Sequence, residues 1–391
     1  SAIEQRAFRT PTRQRMSGRW LRSLIFPWAE PRTVAETLKR LGASDLRIMD
    51  DRKIGGSAQV LFILQSLDVL PKIAQLEAVR WIEEVGEIVE DNGNTAGTMQ
   101  SGTPGTVPIW NQGLHGEGQI IGVIDSPIDT GHCFFQDNVD NTIRPAHRKL
   151  VGFRNSAGSG VGSHGTFVAG IAAGDDVNNS GGHANRGNAW AARLTFGNNG
   201  DVPGTSSVLA YFNAAAEDGA FIHTNSWHDN TAGAGNPATY NQTSTDVDNF
   251  TWNNEDCLVL GSAGNTGEEQ GPPGTAKNAI CVGASMADPN EMSFGDGNPG
   301  PTADGRRKPD LFAPGCTITS STSATTCGTD TRGCATSWAT PAMAAAAALV
   351  RQYYTEGFYP TGTRQPHHAF VPSGALLKAT LLNSTIDMTG I

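Results

Sequence analysis

Four polar residues stand at the ends of apolar segments of this sequence, and together their side chains could perform acyl transfer. Asp125 ends QIIGVID and Asn265 ends CLVLGSAGN. His164 opens the helical pattern of GSHGTFVAG, and Ser337 opens the alanine-rich run of ATSWATPAMAA. A serine hydroxyl attacks carbonyls poorly at neutral pH, so it needs an imidazole to accept its proton and a carboxylate to orient that imidazole. The carboxamide of Asn265 could donate a hydrogen bond to the developing oxyanion.

Short apolar runs alternate with helical patterns between residue 96 and the end of the sequence, which predicts an α/β domain with a doubly wound, mainly parallel sheet. Ligands bind beyond the carboxyl ends of the strands in such a sheet. Residues 18–90 instead have the order βαββαβ, followed by the Gly-, Asn- and Thr-rich segment NGNTAGTMQSGTPGT, which is typical of a linker. We therefore expect a small α+β domain over residues 1–95 and a larger domain over 96–391.

Composition excludes several classes of partner. The net charge of -10 at pH 7 disfavours nucleic acids and anionic membranes, which would repel the chain, and no apolar run is long enough for a membrane span. Six arginines among the first 22 residues are expected to form a basic arm.

Each of the four polar residues has a simpler interpretation when it is considered alone. Asp and Asn are common in turns, and a serine that opens a helix is usually an N-cap. Two other hydrolase classes lack their signatures here, because the sequence contains neither the GxSxG motif of α/β-hydrolase esterases nor the HExxH motif of zinc proteases.

The segments GQIIGVIDSPID, SHGTFVAGIAAG, VLGSAGNTG and ATSWATPAMAA resemble the sequence blocks of the subtilisin-like serine proteases, the subtilases, in order and in register. The resemblance implies a serine endopeptidase in which Asp125, His164 and Ser337 form the triad and Asn265 binds the oxyanion. It also implies that residues 1–95 are a ferredoxin-like propeptide of a self-processing zymogen. The branch that the sequence resembles often carries a C-terminal β-domain, which we do not expect in this chain.

The resemblance also implies where a protein or peptide substrate would bind. The backbone of Ser226 and Trp227 would pair with an extended substrate as an added strand. The substrate-binding residues implied by register are Ser226, Trp227, His228, Ser262, Ala263, Gly264 and Gly271. The register also brings four polar residues near this pocket: His228, Asp229, Glu268 and Glu269. They fit solvated loop residues, but if the acidic ones line the pocket they would favour basic residues before the scissile bond.

Some residues depart from the family pattern. Pro127 removes a backbone N–H near Asp125, and Ala335 replaces a glycine two residues before the serine, where a positive φ would strain an alanine by about 1 kcal/mol. Phe167 stands where a second histidine is usual. Trp338 replaces the methionine that often follows the nucleophile, which predicts resistance to mild peroxide. These departures leave a catalytically silent subtilase-fold scaffold as the alternative function.

The six cysteines are even in number and form no CxxC pair, which disfavours zinc and permits disulfides. Fifteen complete pairings are possible; we expect Cys327 with Cys334 and Cys257 with Cys281. Disulfides would suit a secreted protein. No cofactor is expected for catalysis, although DDVNNS at 175–180 has oxygen ligands suitable for a structural calcium ion and fits a polar turn equally well.

Overall fold

The computed structural model describes residues 20–50, 52, 58–84, 91–155, 160–178, 185–201, 207–228, 240–267, 270–323 and 326–388. In it the chain divides into two units, residues 1–88 and 89–391.

The N-terminal unit has the element order βαββαβ. Its elements are β1 (Trp20–Ile25), α1 (Pro31–Arg40), β2 (Ala43–Asp50), β3 (Ala58–Leu64), α2 (Leu70–Ala74) and β4 (Val79–Glu84). The strands form an antiparallel sheet in the order β2-β3-β1-β4. Alternate residues of β3 are buried, as expected when one face of a sheet covers a core. Helix α1 covers that core with Val34 and Leu38, which lie one helical turn apart.

The C-terminal unit contains the remaining helices and strands of the described residues. Its first elements are α3 (Asp91–Ser101), α4 (Pro108–Asn111), β5 (Ile120–Asp125), β6 (Leu150–Arg154), α5 (Ser163–Ala173), β7 (Arg193–Asn198), α6 (Val208–Glu217), β8 (Ile222–Asn225) and α7 (Gln242–Asn253). They are followed by β9 (Leu258–Ser262), β10 (Ile280–Ser285), β11 (Phe294–Asp296), β12 (Leu311–Pro314), β13 (Ile318–Ser321), β14 (Thr329–Arg332), α8 (Thr336–Thr355) and α9 (Gly374–Asn383).

The main sheet of this unit has the order β11-β10-β9-β8-β5-β7-β6, with β12 paired to β10. Its pairs are parallel except for β10 with β11, which confirms the predicted α/β fold. The chain adds strands to one side of β5 and then returns to add β8 and later strands on the other side. The carboxyl end of β5 is therefore the switch point of the sheet, where doubly wound folds bind their ligands.

Helix α8 is buried on almost every side. Alanines at 339, 342, 344, 345, 347 and 348 all have an exposed fraction of 0%. A helix that is apolar all round lies inside a core, and the small side chains allow α8 to pack closely against α5, β8 and β10. Its first residues are therefore held by the surrounding core.

The segment that we predicted to be a linker, residues 92–106, overlaps helix α3 (Asp91–Ser101), so that prediction is wrong over residues 92–101. Gly97 explains the difference. A Cβ at this position would lie 2.6 Å from the backbone nitrogen of Gly105 and 2.7 Å from the carbonyl oxygen of Thr103. The glycine allows the helix to contact the turn that follows it, and packing against β12 and β13 outweighs the poor helix propensity of the segment.

Strands β13 and β14 form a hairpin that packs on α5. The hydroxyl of Ser320 donates to the carbonyl oxygen of Phe167 at 2.9 Å, and that of Ser321 donates to the carbonyl oxygen of Thr166 at 2.8 Å. A Cβ on Gly170 would lie 2.3 Å from both hydroxyl oxygens. The glycine therefore makes the close approach of hairpin and helix possible.

Two disulfides hold this hairpin. Cys316 pairs with Cys334 at its open end, and Cys133 pairs with Cys327 in the loop between its strands. The predicted bond between Cys327 and Cys334 is wrong. These residues flank β14 and are separated by seven positions, and a strand rises about 3.3 Å per residue, so their Cα atoms lie too far apart for a disulfide.

The predicted bond between Cys257 and Cys281 is also wrong, because both are free, buried thiols. The register of the sheet explains the error. Cys281 lies opposite Gly261 on the neighbouring parallel strand, four residues beyond Cys257. That offset corresponds to about 13 Å along the strand, which exceeds the reach of a disulfide.

Within the described residues, the helices are all too short or too polar to cross a lipid bilayer.

Candidate active site

Asp125 and His164 meet at the switch point of the sheet. Asp125 is the last residue of β5 and is 1% exposed, and His164 is the second residue of α5. The imidazole Nδ1 lies 2.7 Å from the carboxylate Oδ1 of Asp125, a hydrogen-bond distance. With Nδ1–H donating to the carboxylate, Nε2 is the nitrogen left to accept a proton from another group.

The carboxylate of Asp125 also accepts hydrogen bonds from the residue that follows it. Oδ1 of Asp125 also accepts hydrogen bonds from the backbone N–H of Ser126 at 2.7 Å and from its hydroxyl at 3.3 Å. Oδ2 is buried and has no hydrogen-bond partner among the described residues. Pro127, two residues on, has no N–H to donate, and the hydrogen bonds of the carboxylate within the described residues all go to Oδ1. The Ser126 hydroxyl accepts from the N–H of Gly165 at 3.0 Å, which links the end of β5 to the start of α5.

Ser337 is the second residue of α8 and is 6% exposed. Its hydroxyl donates to the carbonyl oxygen of Ser226 at 3.2 Å. Because N–H groups in the first turn of a helix have no acceptor within the helix, the Ser337 N–H is available to bind an anion. The preceding Ala335 has φ of -162°, which is extended backbone, so the strain that a positive φ would cause does not arise.

Pro341 is the sixth residue of α8 and lies beyond its first turn. A proline there cannot donate to the carbonyl four residues earlier, which belongs to Ser337. The hydroxyl of Ser226 donates to that carbonyl oxygen instead, at 2.9 Å. Ser226 and Ser337 therefore exchange two hydrogen bonds, which fix the start of α8 beside the end of β8.

Asn265 lies just after β9, and its carboxamide is oriented by Thr336. Its Oδ1 accepts from the backbone N–H of Thr336 at 2.7 Å and from the Thr336 hydroxyl at 2.8 Å. Both bonds use the carbonyl oxygen, so the amide nitrogen is the end of the side chain that can donate to a ligand. Thr336 immediately precedes Ser337, so the carboxamide is fixed to the same turn of α8 as the serine.

A buried asparagine that we did not foresee shapes this loop. Oδ1 of Asn298 accepts hydrogen bonds from the backbone N–H groups of Thr266 and Gly267, each at 2.9 Å. Gly264 has φ of +94°, and a Cβ there would lie 2.3 Å from Nδ2 of Asn298. The glycine is therefore required both by the left-handed backbone and by the close packing. The segment GDGNPG carries no signal for this role, since the contact joins distant parts of the chain.

The predicted substrate residues lie at the ends of β8 and β9, except Gly271, which lies in the segment between β9 and β10. The Trp227 indole N–H donates to the carbonyl oxygen of Ile124 at 2.9 Å, and the Ser262 hydroxyl lies 3.5 Å from the carbonyl oxygen of Trp227. Two of these side chains are half-buried, those of Trp227 and His228. The other predicted substrate residues are buried: Ser226, Ser262, Ala263, Gly264 and Gly271. Their part in substrate binding stays a prediction.

Other predicted positions lie wholly or partly outside the described residues. The structure does not describe the following predicted positions: Asp229, Glu268, Glu269 and the last two residues of DDVNNS. Within that motif, the Asp175 carboxylate lies 3.5 Å from the Arg148 guanidinium, and Oδ1 of Asp176 accepts from the N–H of Asn178 at 2.8 Å. These contacts suit a polar turn, and calcium binding stays a prediction.

Comparison with known proteins identifies relatives of the C-terminal unit. The family model described as the Subtilase family matches residues 116–389. A Dictyostelium discoideum protein named serine protease/ABC transporter B family protein tagA is 27% identical, over 81% of this chain and 24% of its own length. Another from that organism, with the same name but designated tagD, is 28% identical, over 71% of this chain and 21% of its own length. The chain thus spans about a quarter of these relatives.

A solved structure, titled as the prenylagaramide maturation protease PagA, has the same fold. It superposes with a TM-score of 0.52 at 21% sequence identity, covering 71% of this chain and 87% of the other. Because the family model matches most of the chain and includes the residues that converge at the switch point, this chain belongs to the subtilase family.

Proposed function

We propose that this chain is a serine endopeptidase that cleaves peptide bonds through an acyl-enzyme. The observation that carries the proposal is the 2.7 Å contact between the buried carboxylate of Asp125 and the imidazole of His164 at the switch point of the sheet. Ser337, at the N-terminus of α8, is the nucleophile in this proposal. Family membership supports the same reaction.

The proposed reaction begins when the Ser337 hydroxyl turns from the Ser226 carbonyl oxygen toward Nε2 of His164. His164 accepts the proton as Ser337 attacks the peptide carbonyl, and Asp125 stabilises the imidazolium. The imidazolium then protonates the leaving amine. Water, deprotonated by His164, attacks the acyl-enzyme and releases the second product.

We assign two hydrogen-bond donors to the oxyanion of the tetrahedral intermediate. One is the Ser337 N–H in the first turn of α8, and the other is the amide nitrogen of Asn265, whose carbonyl oxygen is occupied by Thr336. Donors that are fixed before the reaction require no reorganisation as the negative charge develops. The positive end of the α8 dipole acts in the same direction.

An extended peptide is the proposed substrate. The ends of β8 and β9 lie side by side in the sheet, and we propose that the backbone at Ser226 and Trp227 pairs with the peptide. We propose that the side chain before the scissile bond lies against the backbone of Gly264 and Gly271. The disulfides favour an oxidising compartment and hence secretion.

Site-directed variants test this function against the alternative of a catalytically silent scaffold. Ser337→Ala should abolish turnover and labelling by a fluorophosphonate probe, and Asn265→Ala should lower kcat about a hundred-fold or more. Asn253→Ala, at the end of α7, is the matched control and should keep full activity. A wild-type chain that neither cleaves peptides nor reacts with the probe would leave the scaffold as the function.

We further propose that the N-terminal unit is a propeptide that the enzyme itself removes. Support comes from its separate core and from the family match, which begins only at residue 116. The predicted cut lies between Glu90 and Thr98, which includes the first turns of α3. A protease binds its substrate extended, so that part of the helix must unwind before cleavage.

Processing is tested by comparing wild type with Ser337→Ala after expression. Wild type should accumulate as two fragments, whereas Ser337→Ala should remain one chain. The isolated N-terminal segment should inhibit the processed enzyme when it is added in trans. An intact, fully active wild type that the segment does not inhibit would show that this unit is not a propeptide.

A further inference from the structure

An aromatic cluster lies against the imidazole of His164. The ring centroids of His164 and Trp338 are 5.1 Å apart, with the planes inclined by 43°. Trp338 also packs on Phe167, whose centroid is 4.6 Å away. The guanidinium of Arg332 lies 4.3 Å from the centroid of Phe167 and 5.3 Å from that of Trp338. The guanidinium of Arg332 therefore contacts the aromatic pair of Phe167 and Trp338, and Trp338 in turn contacts the imidazole of His164.

Each member of this cluster is fixed by a different element. The Trp338 indole N–H donates to the carbonyl oxygen of Gly333 at 3.0 Å, which sets the plane of the indole. Phe167 is fully buried one turn after His164 on the same helix. Arg332 ends β14, and its guanidinium is also paired with Asp330 at 3.4 Å. The indole consequently has little freedom to move away from the imidazole.

The hydrogen bond that the imidazole donates to Asp125 does not by itself fix the position of Nε2. It holds one edge of the imidazole, and the ring can still tilt about that contact. A tilted ring-to-ring contact with a fixed indole restricts this movement. Restriction matters because a displacement of about 1 Å between reacting groups can lower a rate about a hundred-fold.

We propose that Trp338 is a positioning residue that holds the imidazole of His164 in the orientation required for proton transfer. Arg332 and Phe167 hold the indole in place, the arginine through cation–π contact with both rings. This inference rests on the proposed role of His164 as the general base. If Trp338 only filled space in the core, its substitution would lower the stability of the protein. A positioning role requires in addition that kcat falls by more than the loss of stability explains.

Substitutions of Trp338 distinguish the two roles. Trp338→Leu should lower kcat about ten-fold or more with little change in KM, and Trp338→Phe should recover part of the loss because it restores an aromatic face. Trp110→Leu is the matched control. Its indole N–H also donates to a backbone carbonyl, that of Asn188 at 3.0 Å, and it also lies beneath a guanidinium, that of Arg186 at 5.0 Å. That variant should keep kcat.

A second readout follows the histidine directly. In the inactive Ser337→Ala chain, the proton between His164 and Asp125 can be observed by NMR at low field, and Trp338→Leu should broaden or shift this resonance while Trp110→Leu should not. Unfolding of the same variants by denaturant measures stability separately.

The proposal is overturned if Trp338→Leu keeps kcat within about two-fold, or if Trp338→Phe recovers nothing. If Trp338→Leu does not fold, Trp338→Phe alone must lower kcat at constant KM, and an unchanged kcat overturns the proposal. Failure of the proposed function is seen before any change at Trp338, because the wild type would then hydrolyse no peptide or its hydrolysis would survive His164→Ala.

Discussion

Thr336→Val tests how the carboxamide of Asn265 is held. The substitution preserves the shape of a fully buried side chain but removes its hydroxyl, which donates to Oδ1 of Asn265 at 2.8 Å and accepts from the N–H of Gly264 at 3.2 Å. The bond from the Thr336 backbone N–H to Asn265, at 2.7 Å, remains. Asn265 should therefore be loosened but not released.

The magnitude follows from these contacts. Loss of one neutral hydrogen bond to Asn265 is worth about 0.5–1.5 kcal/mol, which corresponds to a fall in kcat of about two- to twelve-fold if the effect falls on the transition state. The fall should be smaller than that of Asn265→Ala. Stability should fall further, by about 1–3 kcal/mol, because the buried N–H of Gly264 is left without an acceptor.

Peptide hydrolysis gives kcat and KM, and denaturant unfolding in the Ser337→Ala background gives stability without self-cleavage. Thr340→Val is the matched control, since that buried hydroxyl donates to the Thr336 carbonyl oxygen at 2.7 Å and does not contact Asn265. It should keep kcat. Equal losses of kcat in both threonine variants, or an unchanged kcat in Thr336→Val, would refute this account of the oxyanion site.

Further predictions concern buried titratable groups. Burial raises the pKa of the Cys257 and Cys281 thiols to about 12, so Ellman's reagent should find no reactive thiol in the native chain and two after denaturation without reductant. More than two would contradict the disulfides. Burial lowers the pKa of Lys149 to about 7 from its ordinary 10.5. The unfolded chain then binds more protons between these values, so the stability of Ser337→Ala should rise with pH across that range. Lys149→Met should flatten this rise of stability with pH. An unchanged slope in that variant would show that Lys149 is not the group responsible.

The ends of the apolar runs predicted the positions of candidate site residues, because strand ends and helix starts depend on local sequence. Asp125 ends a strand and Ser337 opens a helix in the structure as predicted, since strand ends and helix starts are visible in hydrophobic periodicity and in turn residues. Asn298 and Thr336 were missed because their roles arise from contacts across 32 and 71 positions of sequence. No local pattern reports such a contact.

The disulfide pairing was also mispredicted because it depends on contacts between residues that are distant in sequence. Cys133 and Cys327 are separated by 194 residues and meet only in the folded chain, where the backbone N–H of Cys133 donates to the carbonyl oxygen of Thr326 in the loop of the hairpin. Proximity in sequence favoured Cys327 with Cys334, but the extended strand between them keeps them apart. Helix α3 was missed for a related reason, since its burial against β12 and β13 outweighs its composition.

The hairpin of β13 and β14 has a consequence for local opening of the protein. Its open end is bound to the segment before Ser337 by Cys316–Cys334, and its loop is bound to Cys133. Its strand β13 bonds to carbonyl oxygens of the helix that carries His164. The hairpin cannot fray alone, so its amides and those of α5 should exchange with solvent hydrogen through one shared opening event. After reduction of both disulfides, the hairpin amides should exchange before those of α5. The hairpin and α5 would then open as two separate cooperative units.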